Sequence, residues 1–366
     1  MKVGILTYHY GANYGGTLQA YALQEAVKHL GHDAEVINFQ PNPRRLPPPW
    51  RGLQLRHPSL ENFRRKWLQL RFGSQSFEQF EEFRASRMSL SPVLNSVEAL
   101  AESSNAYDAI ITGSDQIWNF RCSPAYFLAL GEKYRGRKIA YAPCCTQEEQ
   151  PAERIERVGS WIRDYDALSV RDAFSRRAVR NASGRDASIV CDPTLLMGDA
   201  WPVSDVDWSS HREEILLYRL GPPMEGDFGG LIQGLRGELG NIPVRGMVAS
   251  TFNPVVCNEC DEVDFVVSPI EWVQRIRHCK FLITDSFHGV LFALRYGVPF
   301  MAYYRDAERA PRLMDLRTMF SLDERIVTTP PTTAARIAEL LKAPPSPPQM
   351  KGLIEESWQF LSASLA

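Results

Sequence analysis

The feature that most constrains this chain is a repeated pattern: a short apolar run, a polar or glycine-bearing turn, then a helix-compatible stretch. In the first half the runs are Val3 to Tyr8, Ala34 to Phe39, Ala109 to Thr112, Lys138 to Tyr141, Ala167 to Val170 and Ser188 to Cys191. In the second half they are Ile215 to Tyr218, Val244 to Val248, Phe265 to Val267, Phe281 to Ile283, Phe300 to Tyr303 and Ile326-Val327. Continuous rather than alternating apolar runs belong to strands covered on both faces, and strand–helix alternation makes such sheets parallel. At 366 residues with 44% hydrophobic content the chain exceeds one ordinary core and fills two. The predicted fold class is therefore α/β, with two Rossmann-like doubly wound domains and a central cleft. We place an N-terminal domain at 1–200 and a C-terminal domain at 201–366, with a polar linker around Asp199 to Arg212. A last amphipathic helix near Leu353 to Leu361 follows the proline-rich stretch Pro344 to Pro348.

Residues 41–95 interrupt the rhythm with Pro41, Pro43 and Pro47 to Pro49, then a helical, arginine-rich stretch carrying Phe77, Phe80 and Phe83 near helical spacing. This helical arm or insertion reads either as a solvated face over a phenylalanine-lined contact or as a docking surface for an anionic acceptor. Its Arg44, Arg45, Arg51, Arg56, Arg64, Arg65 and Lys66 suit a diphosphate-linked acceptor or an anionic membrane surface, or are solubilising charges.

Several function classes drop out. With 41 Lys and Arg against 43 Asp and Glu there is no global field to attract nucleic acid. No window approaches a transmembrane segment, and the N-terminus reads as a strand, so a cytoplasmic protein is expected. Seven cysteines do not resemble a disulfide framework. Cys257-Asn258-Glu259-Cys260 lacks the second ligand pair that four-coordinate zinc needs, so no metal is expected. Gly-x-Gly-x-x-Gly and Gly-Lys-Ser/Thr are both missing, which disfavours nicotinamide or ATP.

Ligands bind at the carboxyl ends of strands in open parallel sheets. Four segments bring polar groups there: Asn13-Tyr14-Gly15-Gly16, Gly113-Ser114-Asp115-Gln116, Ser169-Val170-Arg171-Asp172 and Thr284 to Gly289. In the last, the run Phe281 to Ile283 delivers Thr284, Asp285, Ser286 and His288 to a turn before a buried helix from Gly289. Backbone N–H groups and the helix dipole there suit a phosphate or carboxylate, which in turn would raise the imidazole pKa toward a working acid. The alternative is that His288, Asp285 and Ser286 only cap the helix or fill a buried polar network. Arg171 either binds a carboxylate or phosphate in bidentate fashion or pairs with Asp172 or Asp192.

Taken in order, six segments resemble the polysaccharide pyruvyl transferase family. They are Tyr8 to Gly15, Leu18 to Leu23, Gly113-Ser114-Asp115-Gln116-Ile117-Trp118-Asn119, Ser169 to Asp172, Asp192-Pro193-Thr194-Leu195-Leu196 and Thr284 to Gly289. The resemblance implies the glycosyltransferase B architecture, no cofactor, phosphoenolpyruvate as co-substrate, and a pyruvate ketal placed across two hydroxyls of a saccharide or lipid-linked glycan acceptor. It maps the family's histidine onto His288 and its donor-contacting arginine onto Arg171. The expected site then comprises His288 and Asp285 as catalytic groups, with Arg171, Ser286, Gly289 and Ser114 on the donor. Asn13, Tyr14, Asp115 and Asn119 are expected on the acceptor, with Asp115 and Asp192 as further proton acceptors. Characterised members often carry an arginine two residues before the histidine, where this chain has Ser286; Arg295, Arg305 and Arg309 are the replacements considered. A nucleotide-sugar glycosyltransferase and a non-catalytic binding relative are the rival readings, and a homo-oligomer is left open.

Overall fold

A computed structural model describes residues 1–41, 60–119, 123–131, 134–145, 150–198, 200–202, 208, 213–221, 224–248, 252–254, 256–306, 310–344 and 348–366. The apolar runs become two six-stranded sheets whose pairings are all parallel. Two compact units result: Met1–Arg45, Glu82–Ala200 and Lys351–Ala366 form one, and Leu46–Glu81 with Trp201–Met350 the other.

In the first unit β1 (Lys2–Leu6) leads through α1 (Tyr14–His29) to β2 (Asp33–Val36). Next come α2 (Leu60–Arg87), whose last residues belong to this unit, α3 (Val97–Ser104), β3 (Ala109–Thr112) and β4 (Asp115–Trp118). They are followed by β5 (Arg137–Ala140), β6 (Pro143–Cys145), α4 (Ala152–Arg163), β7 (Ala167–Val170), α5 (Ala173–Ser183) and β8 (Ser188–Ile189). The sheet order is β2-β1-β3-β5-β7-β8. The chain runs outward from β1 to β2 and then returns to the other side of β1 with β3, so the strand order reverses there. That reversal is the topological switch point where open α/β sheets bind ligands.

The second unit repeats the scheme with β9 (Ile215–Tyr218), α6 (Phe228–Leu239), β10 (Val244–Met247), α7 (Val256–Glu259), β11 (Glu262–Asp264), α8 (Pro269–His278), β12 (Phe281–Thr284) and α9 (Phe287–Tyr296). It is completed by β13 (Phe300–Tyr303), α10 (Pro311–Met319), β14 (Ile326–Val327) and α11 (Ala334–Leu341). The order β11-β10-β9-β12-β13-β14 puts its switch point between β9 and β12. All four residues of β9, β12 and β13 are buried, as two-face coverage requires.

Four expectations need correction. The run at Phe265 is not a strand: the edge strand β11 ends at Asp264, and Phe265 instead stacks on Phe72 of α2, centroids 4.5 Å apart and planes 6° apart. The segment Gly113 to Gln116, expected to bring polar groups past the end of a strand, runs into a further strand from Asp115: β4 pairs with β6, a two-stranded extension that buries Ile117, Trp118 and Cys145. The terminal helix α12 (Pro348–Leu365) falls mainly with the first unit, where Ser357 Oγ accepts from the Cys191 N–H at 2.8 Å and Phe360 lies 6.4 Å from the Tyr141 ring. Finally, α2 divides between the units at Glu81. Leu68 joins the second unit's core, whereas Phe83 meets Tyr21 of the first, centroids 5.4 Å apart. The expected linker lies largely outside the described residues, as do Pro43, Pro47 to Pro49, Arg44, Arg45, Arg51 and Arg56.

Close backbone packing fixes one glycine. A Cβ on Gly159 of α4 would sit 1.9 Å from the Ala182 carbonyl oxygen of α5, whereas one on Gly237 of α6 would meet nothing within 4 Å. Gly159→Ala should therefore cost about 1–3 kcal/mol through overpacking. Gly237→Ala should gain about 0.8–1 kcal/mol of helix propensity. Urea unfolding of both variants checks the opposite signs.

Candidate active site

At the second unit's switch point, β12 ends in a turn built almost wholly from hydrogen bonds. Thr284 Oγ1 donates to the Tyr218 carbonyl at 2.7 Å and accepts from the Ser286 N–H at 3.0 Å. The Asp285 carboxylate crosses to the loop after β9, where Leu220 N–H and Gly221 N–H donate to its two oxygens at 2.7 Å each. Burial raises the Asp285 pKa above the ordinary carboxylate value, against the pull of those two N–H groups and of Arg219.

Ser286 is the N-cap of α9, its Oγ accepting from Gly289 N–H at 3.2 Å. A Cβ on Gly289 would come within 2.8 Å of Thr284 Oγ1, so the turn needs glycine there. The capping role considered for Ser286 is thus present. His288 is the second residue of α9 and only 6% exposed, with its ring edge-on to Phe287, centroids 5.1 Å apart.

The positive charges around this turn differ from those the sequence suggested. Arg295 lies in the last turn of α9, about 14 Å along the axis from Ser286 at 1.5 Å per residue, so it does not stand in at position 286. Arg305 is an exposed side chain paired with Glu225 at 2.6 Å, and Arg309 lies outside the described residues. Two arginines were overlooked. Arg219, fully buried directly after β9, pairs with Glu259 at 2.5 Å. Arg312, at the start of α10, places its guanidinium 6.0 Å from the Phe287 ring. Arg219 had a signal, since it follows an apolar strand as Arg171 does; Arg312 had none, because its approach to Phe287 is a tertiary contact.

The first unit has a corresponding cluster at its own switch point. Thr7 Oγ1 donates to the Ser114 carbonyl at 3.0 Å, and Gln19 joins the same loops, accepting from Ser114 N–H at 3.1 Å and donating to the Tyr8 carbonyl at 2.9 Å. Ser114 is fully buried and its hydroxyl donates to Asp192 Oδ2 at 3.2 Å. Arg171 donates to the same oxygen at 2.6 Å, while Asp172 caps α5 through Ser175 N–H. Of the two partners weighed for Arg171, Asp192 is therefore the one it takes. Burial works against the Arg171 charge, but Cys144, Asp192 and Asp115 around it raise its pKa on balance. A Cβ on Gly113 would lie 1.8 Å from the Tyr141 carbonyl oxygen, and Asp115 holds φ at +68°. A non-glycine residue in that region is costly and marks a locally over-determined site.

Of the expected acceptor contacts, Asn13 caps α1 by accepting from Gly16 N–H at 3.2 Å and is exposed, Tyr14 is buried, and Asn119 is half-buried after β4. Arg84 at the end of α2, missed in the sequence, donates to the carbonyls of His9 and Gly11 at 3.2 and 2.9 Å and so holds the glycine loop. Among the described residues no cluster of three or more His, Cys, Asp or Glu could hold a metal ion, and no helix is long and apolar enough to cross a membrane.

Two Rossmann-like units, each with a polar clamp at its switch point, define an α/β protein of the glycosyltransferase B kind. Among solved structures the chain is similar to a UDP-N-acetylglucosamine 2-epimerase described as putative from Listeria monocytogenes, at TM-score 0.51 and 12% identity, covering 99% of this chain and 90% of that one. It is also similar to the UDP-GlcNAc 2-epimerase of Neisseria meningitidis bound to UDP-GlcNAc, at TM-score 0.50 and 10% identity, covering 100% and 99%. Likeness at this identity speaks to fold alone. No curated protein matches the chain in sequence. The profile of the polysaccharide pyruvyl transferase family matches residues 13–307, and the chain belongs to that family.

If Asp285 clamps the loop after β9, Asp285→Ala should strip protection from the Leu220 and Gly221 amides in hydrogen exchange. The loss should correspond to about 1.5–3 kcal/mol for bonds to a charged acceptor. Ser286→Ala, which removes only the cap, should cost about 1 kcal/mol and leave those two amides protected.

Proposed function

We propose that the protein transfers the pyruvyl group of phosphoenolpyruvate onto paired hydroxyls of a sugar or glycan intermediate, closing a pyruvate ketal and releasing phosphate. The observation that carries this reading is His288, buried in the first turn of α9 within a turn fixed by Thr284, Asp285 and Ser286, in a chain of the pyruvyl transferase family.

Phosphoenolpyruvate is an enol phosphate, and protonation of its methylene carbon leaves the adjacent carbon cationic. His288 is the proposed general acid, a role that typically contributes about 10²–10⁴-fold. One acceptor hydroxyl adds to the cationic carbon and loses its proton, phosphate departs with the bridging oxygen and carries that proton away, and a neighbouring hydroxyl closes the ring and loses the second proton. Asp285 is the proposed acceptor of the hydroxyl protons: a carboxylate whose pKa is raised by burial is a stronger base when ionised. Its two N–H contacts leave acceptor capacity, since a carboxylate offers about four lone-pair sites. The α9 N-terminus, with the Gly289 amide and the Ser286 hydroxyl, suits the charge of the donor's phosphate or carboxylate. Arg312 supports the same reading by bringing a cation to Phe287 where the family's arginine is replaced by Ser286.

Arg171 and Ser114 are proposed to contribute to donor binding in the first unit, and Asn13, Tyr14, Asp115 and Asn119 to acceptor binding. A saccharide or lipid-linked glycan is the acceptor class, and a cytoplasmic location fits the supply of phosphoenolpyruvate.

Incubation with phosphoenolpyruvate and a panel of glycan acceptors should release phosphate and give products heavier by a pyruvyl ketal in mass spectra. His288→Ala should lower the rate about 10²-fold or more while thermal unfolding stays near wild type. Equal phosphate release by wild type and His288→Ala with every acceptor would falsify the acid assignment. Arg171→Ala should weaken phosphoenolpyruvate binding by about 1.5–3 kcal/mol; an unchanged dissociation constant in calorimetry removes Arg171 from the donor site.

A further inference from the structure

We propose that the outward side of α2 between Leu60 and Arg71 docks on an anionic lipid surface. Leu60, Phe63, Trp67 and Leu70 are 79%, 70%, 54% and 55% exposed. At 100° per residue these four positions fall within an arc of about 80°, forming one stripe about 15 Å long. Among the described residues the other exposed large apolar side chains, Met1, Val93 and Leu220, are scattered.

The opposite side of the helix holds it in place. Leu68 and Phe72 face about 140° away around the helix. Leu68 is buried in the second unit's core, and Phe72 stacks on Phe265. Trp67 touches Phe72 edge-on, centroids 6.5 Å apart, yet more than half of it stays exposed along with the rest of the stripe, and exposed apolar patches of this kind mark interaction surfaces.

Charge selects the occupant. Between Leu60 and Arg71 lie Arg64, Arg65, Lys66 and Arg71 against Glu61 alone, a net +3 by 4 − 1, in a chain of net charge −2. Arg65 pairs with Glu61 at 3.5 Å; on one flank of the stripe Arg64 donates to Asn258 Oδ1 at 2.9 Å and Arg71 lies 5.1 Å from the Phe72 ring centroid, both from exposed positions, and Lys66 lies on the other flank. Leucine and aromatic residues bordered by lysine and arginine are the pattern of a helix lying in a membrane interface. There the long basic side chains reach lipid phosphates while the rings enter the acyl boundary. A second copy fits less well: a two-fold contact sets a patch against itself and would bring the basic flanks together. A convex, exposed helix also lacks the concavity that a small glycan requires.

The test uses the full chain and vesicles without substrate, so its outcome is independent of the proposed transferase activity. The protein should co-sediment with phosphatidylcholine–phosphatidylglycerol vesicles, not with phosphatidylcholine alone, and should be released by high salt. Phe63→Ser combined with Trp67→Ser should weaken binding at least about tenfold, and Lys66→Ser about fivefold. Brominated lipids should quench part of the wild-type tryptophan emission, and Trp67→Phe should lose that quenching while still binding. Failure to bind anionic vesicles, equal binding to neutral ones, or binding indifferent to Phe63 and Trp67 would overturn the proposal. So would a Trp67-dependent dimer in vesicle-free sedimentation, which would assign the stripe to self-association.

Discussion

The Asp285 carboxylate, accepting from Leu220 and Gly221 N–H across the reversal of the second sheet, fixes most of what matters around His288. A parallel sheet that reverses its strand order leaves a crevice between two loops, and nothing in the sheet itself sets how those loops face each other. Here one side chain ties them. Thr284 adds a second tie to Tyr218, and Ser286 then starts α9 directly from the tied turn, so the imidazole at position 288 is positioned by strand ends and a cap together. Close approach of Gly289 to Thr284 leaves little room for this arrangement to relax.

The first unit solves the same problem with different chemistry. Its reversal between β1 and β3 is bridged by neutral groups, Gln19 and Thr7 on Ser114, and the charged pair Arg171–Asp192 joins them through the Ser114 hydroxyl. A buried pair of this kind is strongly destabilising to break, because the remaining charge has no compensation. Arg171 therefore carries structural weight whatever it contributes to a ligand, and its substitution must be judged by binding and unfolding together. Arg84 extends the logic by reaching from α2 to hold the glycine loop.

Much of this was legible in the amino-acid sequence. Fully buried parallel strands leave continuous apolar runs, and that signal located β1 to β3, β5, β7 and β8 and all of the second sheet except β11. The exception is instructive: β11 is a short edge strand reading Glu262-Val263-Asp264, with no apolar run, while the neighbouring Phe265 is apolar because it stacks on α2. Likewise β4 begins on a polar Asp-Gln pair whose Asp115 is itself left-handed, which periodicity reads as a loop. The turn from Thr284 to Gly289 announced itself by a strand, a capping serine and a glycine in immediate succession. Arg84 and Arg312 did not, because their roles depend on which helices meet the strand ends. Amphipathicity told that α12 has a buried side but not which unit it covers.

The central claim is that the carbon–oxygen bond of an enol phosphate breaks at this site, and an isotope label tests it most directly. Phosphoenolpyruvate carrying oxygen-18 in the bridging position should deliver the label to inorganic phosphate, with none retained in the ketal product. Label remaining with the pyruvyl fragment would mean cleavage at phosphorus, a phosphoryl transfer or simple hydrolysis, and would contradict the account.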